Sequence, residues 1–369
     1  VVKKLRSLIA HPRTQTTRMI VRRTLAVASV ILAAAVILTL TSDLGPRLRE
    51  QAEKGGSGYL KRSMHIGNLS VRIWDGAYVV SDLTIDGLTP TSRPWLVAKK
   101  IVVHMPNRRA LFSRQIIIDS IDMSGWTMYV EQTADGRSSF PKFPSNPKGE
   151  RNWTTTLRHV HASGGEFTYD DQGTPWSVIA RNIDVIVAKP AEEYRGSARF
   201  SNGLVTFQDY VPFRADMDTT FKIADGRVLF HRINLATDGT KSVLKGDIDM
   251  AHWPEQMYSV KSTIDMARMR QIWFAKDKFE LAGTAQFDGY FHLYKGEVRP
   301  DGKTAGGREV KGRFRTSSMR VNNYEFEDLA GSVRWLPQSL EVHDATARLY
   351  GGDATFTYSM SPIGVRGVK

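Results

Sequence analysis

The sequence predicts an all-β body carried behind one N-terminal transmembrane helix, the body being a long, mostly antiparallel, curved sheet. Three observations predict it. Residues 24–42 are uncharged and follow a basic segment, the dominant hydrophobic period from His65 onward is two, and Asp-Gly dipeptides recur between the apolar runs.

The basic segment comes first. Lys3, Lys4, Arg6, Arg13, Arg18, Arg22 and Arg23 supply seven of the chain's thirteen net positive charges, with no acidic residue among the first 23 positions. The rest of the chain is therefore only mildly basic. A nucleic-acid interface would combine a basic face with stacking aromatics, and these 23 residues contain no Phe, Trp or Tyr. The segment reads as a topology signal, and no nucleic-acid partner is expected.

Leu25 to Leu40 contains only Leu, Ala, Val, Ile, one Ser and one Thr, and Thr24, Thr41 and Ser42 extend it to 19 uncharged residues. As a helix this is about 28 Å, close to the hydrocarbon thickness of a bilayer. The competing reading is a cleavable signal peptide, whose apolar stretch is normally shorter. The Ala33-Ala34-Ala35 triplet lies in the middle of the run, where a cleavage site would not be. Basic residues are denser before the run than after it, which puts residues 1–23 in the cytoplasm, has residues 24–42 cross the membrane and exports the body.

Residues 43–63 form a polar linker. Leu44-Gly45-Pro46 starts a helical stretch over Arg47–Lys54, and Gly55-Gly56-Ser57-Gly58 is expected to end it. Beyond it the period is two: Leu69, Val71 and Ile73 share a face, as do Ile183, Val185 and Val187. The longest alternation runs from Phe279 to Leu293. One face carries Phe279, Leu281, Phe287, Phe291 and Leu293; the other carries Glu280, Gln286, Asp288 and His292. Fifteen such residues are about 50 Å of strand, which belongs to a large curved sheet or a barrel wall. Asp75-Gly76, Asp86-Gly87, Asp135-Gly136, Asp225-Gly226, Asp238-Gly239 and Asp301-Gly302 stand where hairpin turns are needed. Met266, Met269, Ile272 and Trp273 fall at helical spacing and predict one short helix. The Pro-rich stretch Phe140–Pro147 divides the body into a unit over 64–150 and a second over 151–369.

No catalytic constellation is present. The sequence has no phosphate loop, no dinucleotide fingerprint, no His-Glu-x-x-His and no Gly-x-Ser-x-Gly elbow. The absence of cysteine excludes disulfide scaffolds, thiolate metal sites and cysteine nucleophiles. His159 and His161 fall on one strand face and could bind a metal, but two exposed polar strand residues explain them as well; Asp170-Asp171 reads as turn chemistry. No enzyme activity, metal or cofactor is expected.

Several segments, in order along the chain, are similar to a known family. After the anchor and linker come His65-Ile66-Gly67-Asn68-Leu69, Leu83-Thr84-Ile85-Asp86-Gly87-Leu88, Pro94-Trp95-Leu96-Val97-Ala98-Lys99-Lys100-Ile101, Ile116–Met123, Val130-Glu131 and Asp135-Gly136-Arg137. Ile264-Asp265-Met266 through Trp273 followed by Leu281-Ala282-Gly283-Thr284-Ala285, and Leu340–Tyr358 with Leu349-Tyr350-Gly351-Gly352, look like that family's repeating elements. The chain resembles the AsmA-like family, of the TamB type found in the inner-membrane component of the translocation and assembly module. The resemblance implies a taco-shaped β-groove with an apolar concave face and a polar outside. It implies phospholipid as partner, carried between inner and outer membranes, or alternatively a role in assembling outer-membrane proteins. Family members that span the periplasm are longer and carry a C-terminal region for an outer-membrane partner, so the chain is expected to be truncated and to lack that region. On this reading Phe279, Leu281, Phe287, Phe291 and Leu293 line the lipid path.

Overall fold

A computed structural model describes residues 46–72, 76–89, 91–105, 115–141, 154–172, 176–190, 193–207, 210–249, 255–298 and 304–361. The basic segment and the apolar run 24–42 lie outside the described residues; no described helix is long and apolar enough to cross a membrane.

The body is a chain of strands in nearly sequential order. These are β1 (Met64–Arg72), β2 (Ala77–Ile85), β3 (Leu96–His104), β4 (Gln115–Ile118), β5 (Ser120–Gln132), β6 (Thr154–Leu157), β7 (His159–Asp171), β8 (Trp176–Ala188) and β9 (Tyr194–Phe207). They continue as β10 (Phe213–Ala224), β11 (Arg227–Thr237), β12 (Thr240–Asp249), β13 (Gln256–Asp265), β14 (Leu281–Val298), β15 (Thr304–Val321), β16 (Tyr324–Trp335), β17 (Leu340–Leu349) and β18 (Gly352–Met360). Sixteen of them form one sheet in chain order, and β4 with β6 form a short two-stranded one. Neighbours in the main sheet are antiparallel except β5 and β7, which run parallel. The main sheet thus runs on from β5 to β7 across the stretch in which the sequence places the boundary between two β units.

Turn chemistry explains the meander. Asp225-Gly226 closes β10 to β11 with φ of 50° and 74° at the two residues, the left-handed pair that a tight hairpin requires. Two hairpins use turns that carry no Asp-Gly: Asn322 joins β15 to β16 and Tyr350-Gly351 joins β17 to β18, with φ of 52°, 49° and 81°.

Among the described residues, two helices accompany the sheet. Helix α1 (Pro46–Leu60) is longer than the sequence predicts, because it passes through Gly55-Gly56-Ser57-Gly58 instead of ending there. The reason is packing: Gly56 leaves room for the Met64 side chain, which a Cβ would strike. The Ser57 hydroxyl accepts the Met64 N–H at 2.9 Å. Helix α2 (Met266–Trp273) has the bounds expected from its spacing, with Asp265 as N-cap accepting the Arg268 N–H at 3.1 Å.

The sheet has two faces of opposite character. Across successive strands one register row reads Leu69, Val80, Ile101, Met123, Ala162 and Val185. The same row continues through Ile233, Leu244, Val260 and Val333. The adjacent row on the opposite face includes Arg199, Asp218, Asn234, Lys261, Asp288 and Arg313. The apolar side is concave. Arg308 on β15 stands 4.6 Å from the ring of Phe207 on β9, although six strand spacings in a flat sheet are about 29 Å. The sheet has curled to bring these strands together.

A line of bends helps it curl. Asp82, Gly125, Gly164, Asn182 and Asn202 sit in mid-strand with φ between 52° and 59°. Left-handed residues inside a strand bulge and bend it. The register puts Gly125 opposite Gly164 and puts Asp82 in line with Gly67 on β1. At this level inward spacing becomes three: Ile66 with Leu69, Val80 with Leu83, Ala98 with Ile101, Met123 with Trp126 and Ala180 with Ile183 all join one apolar cluster. Ala52 and Leu60 of α1 pack against it. A second set of bends, at Gly283, Asp328 and Asp344, accompanies register shifts in β14, β16 and β17.

Candidate functional site: the concave face

The concave face is built by strand alternation, with side chains set by the neighbours they meet. A row of rings crosses it: Phe221 to Phe230 at 6.0 Å, Phe230 to Tyr258 at 6.2 Å and Tyr258 to Phe291 at 6.4 Å. Phe230 and Tyr258 lie on strands two apart and touch because Gly246 stands between them, where a Cβ would come within 2.7 Å of the Tyr258 ring. Burial pushes the Tyr258 phenol up to about 12, with the Asp247 charge adding to it; its hydroxyl donates to Gln256 Oε1 at 3.0 Å.

One level along the strands, Ser242, Ser262 and Gly331 leave space among the larger side chains. A cavity of about 1270 Å³ crosses β9 to β17 there. It is lined by Phe200, Met217, Leu235, Phe287 and Phe314. Trp273 of α2 folds over the concave side. It meets Phe207 at 6.1 Å, Tyr210 at 5.0 Å, Phe213 at 5.7 Å and Trp335 at 5.6 Å, and so bridges β9–β10 to β16.

The five residues read from the sequence as a lining are placed as follows. Phe287 is 8% exposed and Phe291 stacks on Tyr258, both on the concave face; Leu293 follows in the same register. Leu281 opens β14 and pairs with Val321, separated from the others by the bend at Gly283. Phe279 is not on the strand, which corrects the expected start: its carbonyl accepts from Arg270 Nε at 2.7 Å and its ring packs on Phe274 at 5.4 Å, so it belongs to the helix-to-strand connection. At its other end β14 continues past Leu293 to Val298. On the outer face Gln286 and Asp288 are exposed; Asp288 pairs with Lys261 at 3.1 Å and Gln286 accepts from Arg315 at 2.8 Å. His292 is half-buried against Glu255 at 2.7 Å. The topology residues Lys3, Lys4, Arg6, Arg13, Arg18, Arg22 and Arg23 lie outside the described residues.

Among the described residues no group of three or more His, Asp or Glu is arranged to hold a metal. His161 meets Asp184 at 3.4 Å. Asp170 is a strand residue of β7 instead of a turn residue, accepting from the Tyr129 hydroxyl at 3.0 Å. The Tyr129 phenol is raised to about 12 by burial and then by that hydrogen bond. The sequence reading missed Trp273, Trp335 and Tyr258 as members of the concave face. Trp273 was readable as helical core, but nothing local says which strands it would reach.

Comparison of the chain with protein-family models, with curated protein sequences and with solved structures finds no match.

Proposed function

We propose that this chain is an inner-membrane-anchored periplasmic protein whose β-groove binds or conducts phospholipid between the inner and outer membranes. One observation carries the proposal: a sixteen-stranded sheet curls around its own apolar face, and the other described sheet is too small to cover that face, having two strands of four residues. Such a surface suits acyl chains, because each CH₂ kept from water is worth about 0.8 kcal/mol. The outer face, lined by ion pairs such as Lys261–Asp288 and Arg334–Glu309, suits water. The uncharged run 24–42 and its basic flank support an anchor with a cytoplasmic N-terminus. A groove of this kind works by differential solvation and needs no catalytic group. The resemblance to the AsmA-like family points the same way.

Mass spectrometry of lipids retained by the purified full chain tests this. Phospholipid at a fixed ratio to protein is the expected result; protein free of phospholipid after gentle extraction contradicts it.

A second reading is an assembly factor that pairs its sheet edge with outer-membrane strands. The observation that favours it is β18, which among the described residues pairs only with β17 and leaves Phe356 and Tyr358 at 36% and 45% exposure. Crosslinks from β18 to an unfolded outer-membrane protein, with no lipid bound, support that reading over the first.

A further inference from the structure

Among the described residues, the aromatic cluster around Trp273 holds the charge of Arg308. Arg308 is half-buried near the start of β15, opposite Leu293 of β14. Its guanidinium stands 4.6 Å from the Phe207 ring centre and 5.5 Å from that of Trp335, and it donates a hydrogen bond to the Tyr210 hydroxyl oxygen. Arg227, Arg334 and Arg348 each reach a carboxylate. Arg308 makes no ion pair with any carboxylate among the described residues. Burial pushes its guanidinium below the ordinary value, and Tyr210 opposes that. A second donor in the cluster, the Trp335 indole N–H, is buried and has no hydrogen-bond partner among the described residues.

Ring contacts offset only part of what it costs to withdraw a guanidinium from water. A buried indole N–H without an acceptor adds a further cost. Both donors point to an anion as the missing partner. The guanidinium fork matches two phosphate oxygens at once. The surface beside it is apolar, with Leu293 and Phe291 on the adjoining strand, so an anion joined to acyl chains fits better than a free ion. We infer that Arg308, with the Trp335 N–H, is a phosphate-binding position on the concave face, taking the phosphodiester of a lipid whose chains lie along Phe291 and Leu293. The lipid part of this inference rests on the function proposed above; the phosphate part does not.

The test uses the full chain in dodecyl maltoside, titrated with brominated phosphatidylglycerol, with brominated diacylglycerol of the same chains, and with inorganic phosphate. Lipid binding is read as tryptophan quenching and phosphate binding by calorimetry. Arg308→Met removes the charge while keeping an apolar stem against the Phe207 and Trp335 rings. Arg308→Lys keeps the charge without the fork. The parent is expected to prefer phosphatidylglycerol about tenfold over diacylglycerol. Arg308→Met abolishes the preference with diacylglycerol affinity unchanged, and Arg308→Lys lies between. If phosphate alone binds the parent but not Arg308→Met, and neither lipid binds, the anion site stands and the lipid groove falls. If both lipids bind the parent and Arg308→Met equally, and phosphate binds neither, the site is overturned while the groove stands. If nothing binds the parent, both are overturned.

Discussion

Single residues decide whether this sheet can curl. Asn202 sits in β9 with φ of 54°, and its N–H donates to the Asp216 carboxylate at 2.7 Å. Asn and Asp tolerate this conformation, whereas β-branched residues resist it. Asn202→Val is therefore expected to cost about 1–3 kcal/mol in denaturant unfolding, and Asn202→Gly to be within about 1 kcal/mol of the parent. Equal losses in both variants would locate the effect in the lost side chain instead of the backbone. Tyr258 sets a pH limit. Its phenol ionises near 10 in the unfolded chain and is pushed up to about 12 in the folded one. The neutral form thus contributes stability that is present below pH 10 and is lost as pH rises toward 12. The rise from 10 to about 12 corresponds to about 3 kcal/mol. Unfolding free energy measured at pH 9 and pH 11.5 should fall, and Tyr258→Phe should reduce that fall; an unchanged fall assigns it to other groups. These residues were hard to read in the sequence because a mid-strand Asn or Asp looks like any polar outward residue. The signal was an inward spacing of three in place of two, as at Val80 and Leu83 around Asp82.

At the scale of elements, the two ends of the sheet differ. Helix α1 covers the outer edge of β1: Glu53 accepts the Ile66 N–H at 2.7 Å, Arg49 donates to the Gly67 carbonyl at 2.9 Å and Ser57 accepts from Met64. These bonds satisfy backbone groups that would otherwise template pairing with another strand. Glu53→Ala should cost about 1–2 kcal/mol locally and speed hydrogen exchange at the Ile66 amide, with β10 amides unaffected. Equal acceleration in β10 would show that α1 stabilises the whole fold instead of one edge. Helix α2 was legible from four apolar residues at helical spacing; its Asp265 cap is seen only in the structure. The length of α1 was not, because four residues rich in Gly read as a stop until Met64 is seen packed against Gly56. The β14 strand shows the same limit. Its alternation was legible, but the departure of Phe279 depends on Arg270 and Phe274, which fold back from the preceding helix.

At the scale of the molecule, the sequence carried the dominance of strands and the two-faced pattern but not the closure. Period two says that one face is apolar; it does not say that β9 meets β15 and β16 through Phe207, Arg308, Trp273 and Trp335. Closure decides whether an apolar face is a groove or a filled core. The proposed function requires a groove that lipid enters, and the residues that discriminate are on β14. Phe287 and Phe291 lie on the concave face, with Gln286 and Asp288 on the outer one. An aspartate on an open apolar trough interrupts it without leaving a charge buried, whereas in a closed core the same charge is unpaired and strongly destabilising. Phe291→Asp is expected to fold with a melting temperature near the parent's and to lose retained phospholipid. The most direct measurement is photo-crosslinking in intact membranes, with a photoreactive residue placed in turn at Phe287, Phe291, Gln286 and Asp288. The account predicts phospholipid adducts at Phe287 and Phe291 and none at Gln286 and Asp288. No adduct at either Phe position, together with unfolding of Phe291→Asp, would contradict it and make this face a sealed core.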